Sequence, residues 1–188
     1  MRNNLYLQVF VLTLYLVFVN LSFSSEQGAS ARINLKATLW NVGGWINSPP
    51  LDLKSLEGKV VLIRWWTVPE CPYCRSTAPA LNEFYKTYHD QGLEVIGFYH
   101  HKGSGKLSKK RVKKYAGDLG FSFPVAIDYD WKTLKKWWLD NNQTDWTSVS
   151  FLIDKKGVIR HIHPGGQYVK GDEAYSELRA VIEKLLAE

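Results

Sequence analysis

Apolar residues in this chain fall into short unbroken runs and into longer stretches with helical spacing. Lys59–Trp66 (KVVLIRWW) and Leu93–Tyr99 (LEVIGFY) are dense in β-branched and aromatic residues, the pattern of strands covered on both faces. Phe123–Ile127 reads as a third, shorter strand. Between the first two runs, Leu81, Phe84, Tyr85 and Tyr88 recur on one side of a stretch that reaches His89, which predicts an amphipathic helix. Lys106–Leu119 predicts a basic helix, and Trp131–Leu139 another with Trp131, Leu134 and Trp138 on one side. Val149–Asp154, Lys155-Lys-Gly157 and Val158–His163 read as strand, turn and strand, a hairpin. Asp172–Leu186 closes the chain as an amphipathic helix. Near the start, Trp40-Asn-Val-Gly-Gly-Trp45 reads as a turn between two short strands. Strands alternating with helices, ending in a hairpin and a helix, imply an α/β domain around a mixed sheet.

The N-terminus follows a different rule. Arg2 is the only charge before Glu26, and Leu5–Leu21 between them is apolar apart from Gln8, Thr13 and Asn20. A basic start followed by such a run is the pattern of an export signal, and it is slightly short for a membrane-spanning helix. Cleavage after Ser24 or after Ala31 fits the small residues there. Residues 1–31 are therefore expected to be a signal peptide or an N-terminal membrane anchor, and residues 32–188 the folded domain. Either outcome places the domain outside the cytoplasm, in the periplasm or an equivalent extracytoplasmic space, where disulfides persist.

Composition narrows the class. The 188 residues are 45% hydrophobic and 22% charged, with 14 Gly, 7 Pro and 2 Cys, which excludes a disordered chain, a polytopic membrane protein and a multi-disulfide scaffold. The net charge of +6 is concentrated, because Lys102–Lys114 holds seven basic residues and no acid. That segment predicts the outer face of a surface helix or an attraction to anionic lipid or an acidic partner. It lacks aromatics, so nucleic acid is not expected as a partner.

The chemistry centres on Cys71-Pro-Tyr-Cys74, placed where a strand gives way to a helix. Cysteines three apart in a first helical turn share a face, and the first meets unpaired N–H groups at the positive end of the helix dipole. That setting lowers the Cys71 pKa and makes it the attacking sulfur, with Cys74 resolving the mixed disulfide. Pro72 suits the first helical position, whereas the Glu70 carboxylate opposes a thiolate. Three readings follow: a redox dithiol, a metal half-site, and a structural disulfide.

The stretch from Lys59 through Cys71-Pro-Tyr-Cys74 to Ala78-Pro-Ala-Leu81 is similar to the thioredoxin superfamily, and most resembles its exported, TlpA/ResA-like (redoxin) thiol–disulfide oxidoreductases. Gly92–Gly97 and Phe151–Gly157 match that branch's later strands in order and spacing. The resemblance implies a thioredoxin-like three-layer fold, a nucleophilic Cys71, a resolving Cys74, protein thiols and disulfides as substrates, and an electron donor or acceptor protein upstream. It implies no organic cofactor. Cytochrome maturation, disulfide repair and antioxidant defence are all roles that this branch allows. Two positions depart from the family. Ser148, in Trp146-Thr-Ser-Val-Ser-Phe151, stands where the family usually has a cis-proline, so a trans Thr147–Ser148 bond or a reshaped loop is expected. The approach Trp66-Thr-Val-Pro-Glu-Cys71 is also one residue longer than usual.

His100 and His101 end the second strand at the sheet edge that carries the cysteine loop, so His100 is a candidate proton shuttle, with Glu70 as a second. Pro72, Tyr73, Trp146, Thr147 and Ser148 are the candidate walls of a substrate groove. Trp65, Trp66, Trp131, Trp137 and Trp138 are expected in the core. His161-Ile-His163 puts two imidazoles on one strand face. A metal-binding or delivery protein using Cys71, Cys74, His100, His161 and His163, with copper favoured over zinc, is the alternative from another class. A thiol peroxidase is the third, opposed by Val68 at the position where peroxiredoxins need Thr or Ser.

Overall fold

The computed structural model describes residues 30–103, 107–142 and 144–188. Residues 1–29, most of the segment expected at 1–31 as a signal or anchor, lie outside these, as do residues 104–106 of the basic segment and residue 143. Among the described residues no helix is long and apolar enough to cross a membrane.

A six-stranded sheet organises the domain, its strands being β1 (Trp45–Ile46), β2 (Val60–Trp66), β3 (Leu93–Tyr99), β4 (Val125–Ile127), β5 (Ser150–Ile153) and β6 (Ile159–His163), in the spatial order β1-β4-β3-β2-β5-β6. β2, β3 and β4 are parallel, while β1, β5 and β6 run antiparallel to their neighbours. The mixed sheet is the one expected. β2 and β3 are buried along their whole length, because each has a strand on either side and packed layers above and below.

Side chains alternate along β2 and separate the core in two. Val60, Leu62 and Trp66 join α1 (Pro72–Tyr88), α2 (Lys109–Asp118) and α4 (Glu173–Ala187) through residues such as Phe84, Val112 and Leu178. Val61, Ile63 and Trp65 join α3 (Lys132–Trp137) on the other face, where irregular chain bearing Ile33, Trp40 and Leu53 completes the cover. This is the three-layer arrangement, with one face closed only in part by a helix.

Some element boundaries differ from expectation for local reasons. Among the described residues ahead of β2, only Trp45–Ile46 forms a strand, paired with β4. Trp40 packs its ring on Trp45, Phe98 and Trp137 instead and donates Nε1–H to the Leu51 carbonyl at 2.9 Å. α2 starts at Lys109, where Ser108 caps it by accepting from the Arg111 N–H. α3 is short because Asp130 and Trp131 take left-handed backbone angles (φ 58° and 61°) just before it, and Trp138 lies past its end. α1, by contrast, continues through Pro79 to Tyr88.

Trp65, Trp66, Trp137 and Trp138 are fully buried, as expected, whereas Trp131 is only partly so. Asp128 anchors the second layer: its carboxylate accepts from Trp65 Nε1 (3.1 Å) and from the backbone N–H groups of Thr133 (2.9 Å) and Leu134 (2.8 Å).

Candidate active site

The carboxyl ends of β2 and β3 open onto one groove of about 210 Å³. Trp66 and Thr67 end β2 and form its floor, Cys71, Tyr73 and Cys74 come from the start of α1, and His100 and Lys102 follow β3. The far wall is Asp145, Trp146, Thr147 and Ser148, from the loop that leads into β5. The two chain segments marked out by sequence, residues 71–74 and 146–148, thus face each other across a cleft.

Cys71 occupies the N-cap of α1 with extended backbone angles (φ −63°, ψ 118°), and Pro72 takes the first helical position, where a missing N–H costs nothing. Its sulfur stands where a capping oxygen would, facing the N–H groups of Tyr73 and Cys74, although it closes no cap bond of ordinary geometry. Both cysteines are free thiols. Cys71 is half-buried, and Cys74 is buried one turn further in, with the Thr67 N–H directed at its sulfur at 3.5 Å.

The pair divides the charge unequally. The Cys74 thiol donating to it, together with the Cys74 and Tyr73 N–H groups and the Lys102 cation, brings Cys71 down from the usual 9.0 to about 6, against a contrary pull from burial. Cys74 is driven far upward, first by that same bond to Cys71 and then by burial. Cys71 is therefore the thiolate at neutral pH, and Cys74 stays protonated. Two outcomes follow from the sign. Alkylation of Cys71 should rise with pH to a plateau with a midpoint near 6. The reduced protein should lose stability as pH falls from about 9 towards 6, because the unfolded thiol ionises only near the upper value. A midpoint above 8 in thiolate ultraviolet absorbance would contradict this account.

His100 is buried (1% exposed), and among the described residues neither ring nitrogen has a hydrogen-bond partner. Burial, with Lys102 and His101 nearby, holds it down to about 3, so it enters any chemistry as a neutral imidazole. Its ring meets Trp131 edge-on at 4.9 Å. Tyr73 and Trp146 are exposed and lie 5.6 Å apart with their planes tilted by 35°, one on each side of the cleft. Trp146 rests on the Gly165–Gly166 turn, where a Cβ on Gly165 (φ +153°) would come within 2.8 Å of the indole. Ser148 is buried, its Oγ accepts from the Gly166 N–H at 3.1 Å, and the Thr147–Ser148 peptide is trans.

Other sequence-derived candidates do not reach the groove. Glu70 is exposed and is not among the lining residues, and Pro72 is likewise exposed outside the groove. The metal set of Cys71, Cys74, His100, His161 and His163 does not assemble: among the described residues no three His, Cys, Asp or Glu side chains converge to hold an ion. His161 and His163 are on β6, with β5 between them and β2; His161 faces Glu177 at 3.7 Å and His163 packs against Tyr168. Conversely, Thr67, Lys102, Asp145 and the Gly165–Gly166 turn belong to the site or its support without having been singled out. Only the fold brings these distant segments together.

The AhpC/TSA family matches residues 41–162, a span containing five strands, most of β6 and every residue that lines the groove. The chain belongs to the AhpC/TSA family. Among curated relatives it is 36% identical over 151 residues to protein DipZ of Mycobacterium tuberculosis, a match covering 79% of this chain and 20% of DipZ. The chain thus spans about a fifth of the length of that relative. It is 28% identical over 135 residues to the thiol-disulfide oxidoreductase ResA of Bacillus anthracis, covering 72% of this chain and 68% of ResA. Among solved structures, a thioredoxin-like superfamily protein superposes with a TM-score of 0.66 at 25% identity, covering 82% of this chain and 97% of that one. The fold is thioredoxin-like, and the chain is a ResA-like redoxin, as its motifs implied.

Proposed function

We propose that this protein is an extracytoplasmic thiol–disulfide oxidoreductase that exchanges disulfides with partner proteins through Cys71 and Cys74. The observation that carries the reading is the asymmetry of the pair. One sulfur is half-exposed, ionised at neutral pH and set at a helix start on the rim of a groove; the other is protonated and buried behind it. The outer sulfur attacks a partner disulfide, the inner one closes the internal disulfide, and the reverse sequence donates it. Tyr73 and Trp146 offer two exposed rings to a partner chain, and Thr147 and Ser148 belong to the wall opposite Cys71. His100, neutral and without a hydrogen-bond partner among the described residues, lines the same groove, which supports a role in accepting a hydrogen bond from a thiol proton in transit.

The leader at residues 1–31 supports export, as signal or anchor, which suits a chain whose cysteines must meet disulfides. The exposed lysines of α2 suit an acidic partner or an anionic membrane surface beside the groove. A peroxidase role finds less support, since Val68 offers no hydroxyl three residues before Cys71.

The test is mass spectrometry of the purified protein after alkylation, with and without reductant, alongside reduction of a protein disulfide such as that of insulin. Reversible loss of two hydrogens and turnover of the disulfide are expected. Stoichiometric copper or zinc on the isolated protein, or an inert cysteine pair, would refute the reading.

A further inference from the structure

Arg64 is the one charged residue within β2, and it is fully buried. By the alternation of side chains it shares the sheet face of Leu62 and Trp66, which pack in one cluster with Cys74. Its Nη1 donates to Ser150 Oγ at 3.3 Å and its Nη2 to the Gly166 carbonyl, while the guanidinium lies 5.2 Å from the centre of the Tyr168 ring. Nε has no partner. Among the described residues no carboxylate forms an ion pair with it.

A buried cation without a counter-charge is costly, so its neighbours are informative. Burial opposes its charge, and the groups whose charge would offset that are Tyr168, Cys74 and Cys71, in that order. Tyr168 is a buried phenol bonded to Ser150 at 3.1 Å, and burial keeps it protonated. Cys71 has its own donors at the helix start. Cys74 has the Thr67 N–H and, inside the protein, Arg64.

We propose that Arg64 is the internal counter-ion for the Cys74 thiolate during closure of the Cys71–Cys74 disulfide. The proposal rests on the exchange reading above. In that step the proton on Cys74 passes to water in the groove, and the Cys74 thiolate attacks the Cys71 sulfur of the mixed disulfide. The Cys71–Cys74 bond forms as the bond from Cys71 to the partner breaks. The electron pair leaves on the partner's sulfur, which takes a proton from water. Overall the partner disulfide is reduced to two thiols and the Cys71/Cys74 pair is oxidised.

Once Cys71 is held in the mixed disulfide it no longer carries charge, and the field at Cys74 is set by what else faces it. Arg64 lies on β2, Tyr99 and neutral His100 on or just after β3, Lys102 beyond them, and Asp145 on the far wall. His163 on β6 is itself held neutral by burial and by Arg64. Arg64 is the cation fixed by hydrogen bonds. Because Gly166 also donates to Ser148, the guanidinium is tied to the turn under Trp146, which fixes where its charge sits.

The test uses the full reduced chain and Ellman's disulfide. The first release of thionitrobenzoate reports attack by Cys71, and the second reports closure by Cys74. Removing a neighbouring unit charge moves a pKa by about 1 to 3 units. Each unit costs about tenfold in thiolate and returns about threefold in nucleophilicity. Arg64→Met should therefore slow the second phase by roughly 3- to 40-fold and move its pH profile upward, with less effect on the first phase. Arg64→Lys, which keeps the charge, should recover part of the rate. An unchanged second phase in folded Arg64→Met, or equal slowing in both variants, overturns the proposal. So does failure of both Arg64→Met and Arg64→Gln to fold, since Arg64 would then be purely structural. Absence of the first phase in the unmodified protein defeats the exchange reading itself.

Discussion

Cys71→Ser is expected to lower protein-disulfide reduction by roughly a thousandfold or more, to the level of the uncatalysed reaction, because a hydroxyl at the same place is not ionised and does not attack sulfur. Cys74→Ser should behave differently. Its Cys71 remains at the helix start with the Tyr73 and Cys74-position N–H groups, so it should still attack and then stall as a mixed disulfide with the partner. Non-reducing electrophoresis and intact mass distinguish the two. Cys74→Ala, which removes the S–H donor and puts no hydroxyl in its place, should let the Cys71 titration drift back upward, since that bond is the largest stabilising influence on its thiolate. Full turnover by Cys71→Ser would end the mechanism. Full turnover by Cys74→Ser, with no trapped species, would show that an outside thiol resolves the intermediate.

Trp65→Ala is expected to be the most damaging change in the second layer. The ring is fully buried, meets Phe98, Trp137 and Phe151 at centroid distances of 4.9, 5.8 and 5.8 Å, and donates to Asp128. Truncation removes this packing and leaves a cavity, for a loss of about 3–5 kcal/mol. In a domain of this size that lowers Tm by roughly 6–20 °C. Trp65→Phe should cost less, because it keeps a ring in place and leaves Asp128 its two backbone donors at the start of α3. Denaturant unfolding followed by far-ultraviolet circular dichroism measures both. A loss below about 1 kcal/mol for Trp65→Ala would mean the cluster rearranges to fill the space.

Much of the scaffold was legible because its signals are local. The runs at Lys59–Trp66 and Leu93–Tyr99 became β2 and β3 within a residue, and the glycine-containing hairpin and the closing helix formed where patterning placed them. The misplaced boundaries sit where tertiary contacts outweigh pattern. Trp40 left the expected strand to pack on three aromatic rings, and the left-handed turn at Asp130–Trp131 delayed α3. Of the residues that line the candidate groove, Cys71, Cys74, Tyr73, Trp146, Ser148 and His100 had been marked by motif and position. Lys102 and Asp145 were not, since nothing in a surface lysine or a loop aspartate marks which cleft it will face. Arg64 carried a visible signal, a lone charge within an apolar strand, but its meaning depends on what surrounds it.

Sequence by itself determined the alternation of strands and helices, and it put a cysteine at the first turn of a helix after a buried strand. These follow from side-chain period, backbone hydrogen bonding and the missing N–H of Pro72, none of which needs distant residues. The tertiary structure alone decided that residues 145–148 would close the groove opposite Cys71 and that the β6 histidines would be kept away from it. It also decided that Arg64 would be buried on the sheet face that packs against Cys74, with no carboxylate paired to it among the described residues. Sheet order brings together residues far apart in the chain, and a charge acts through space rather than along the backbone.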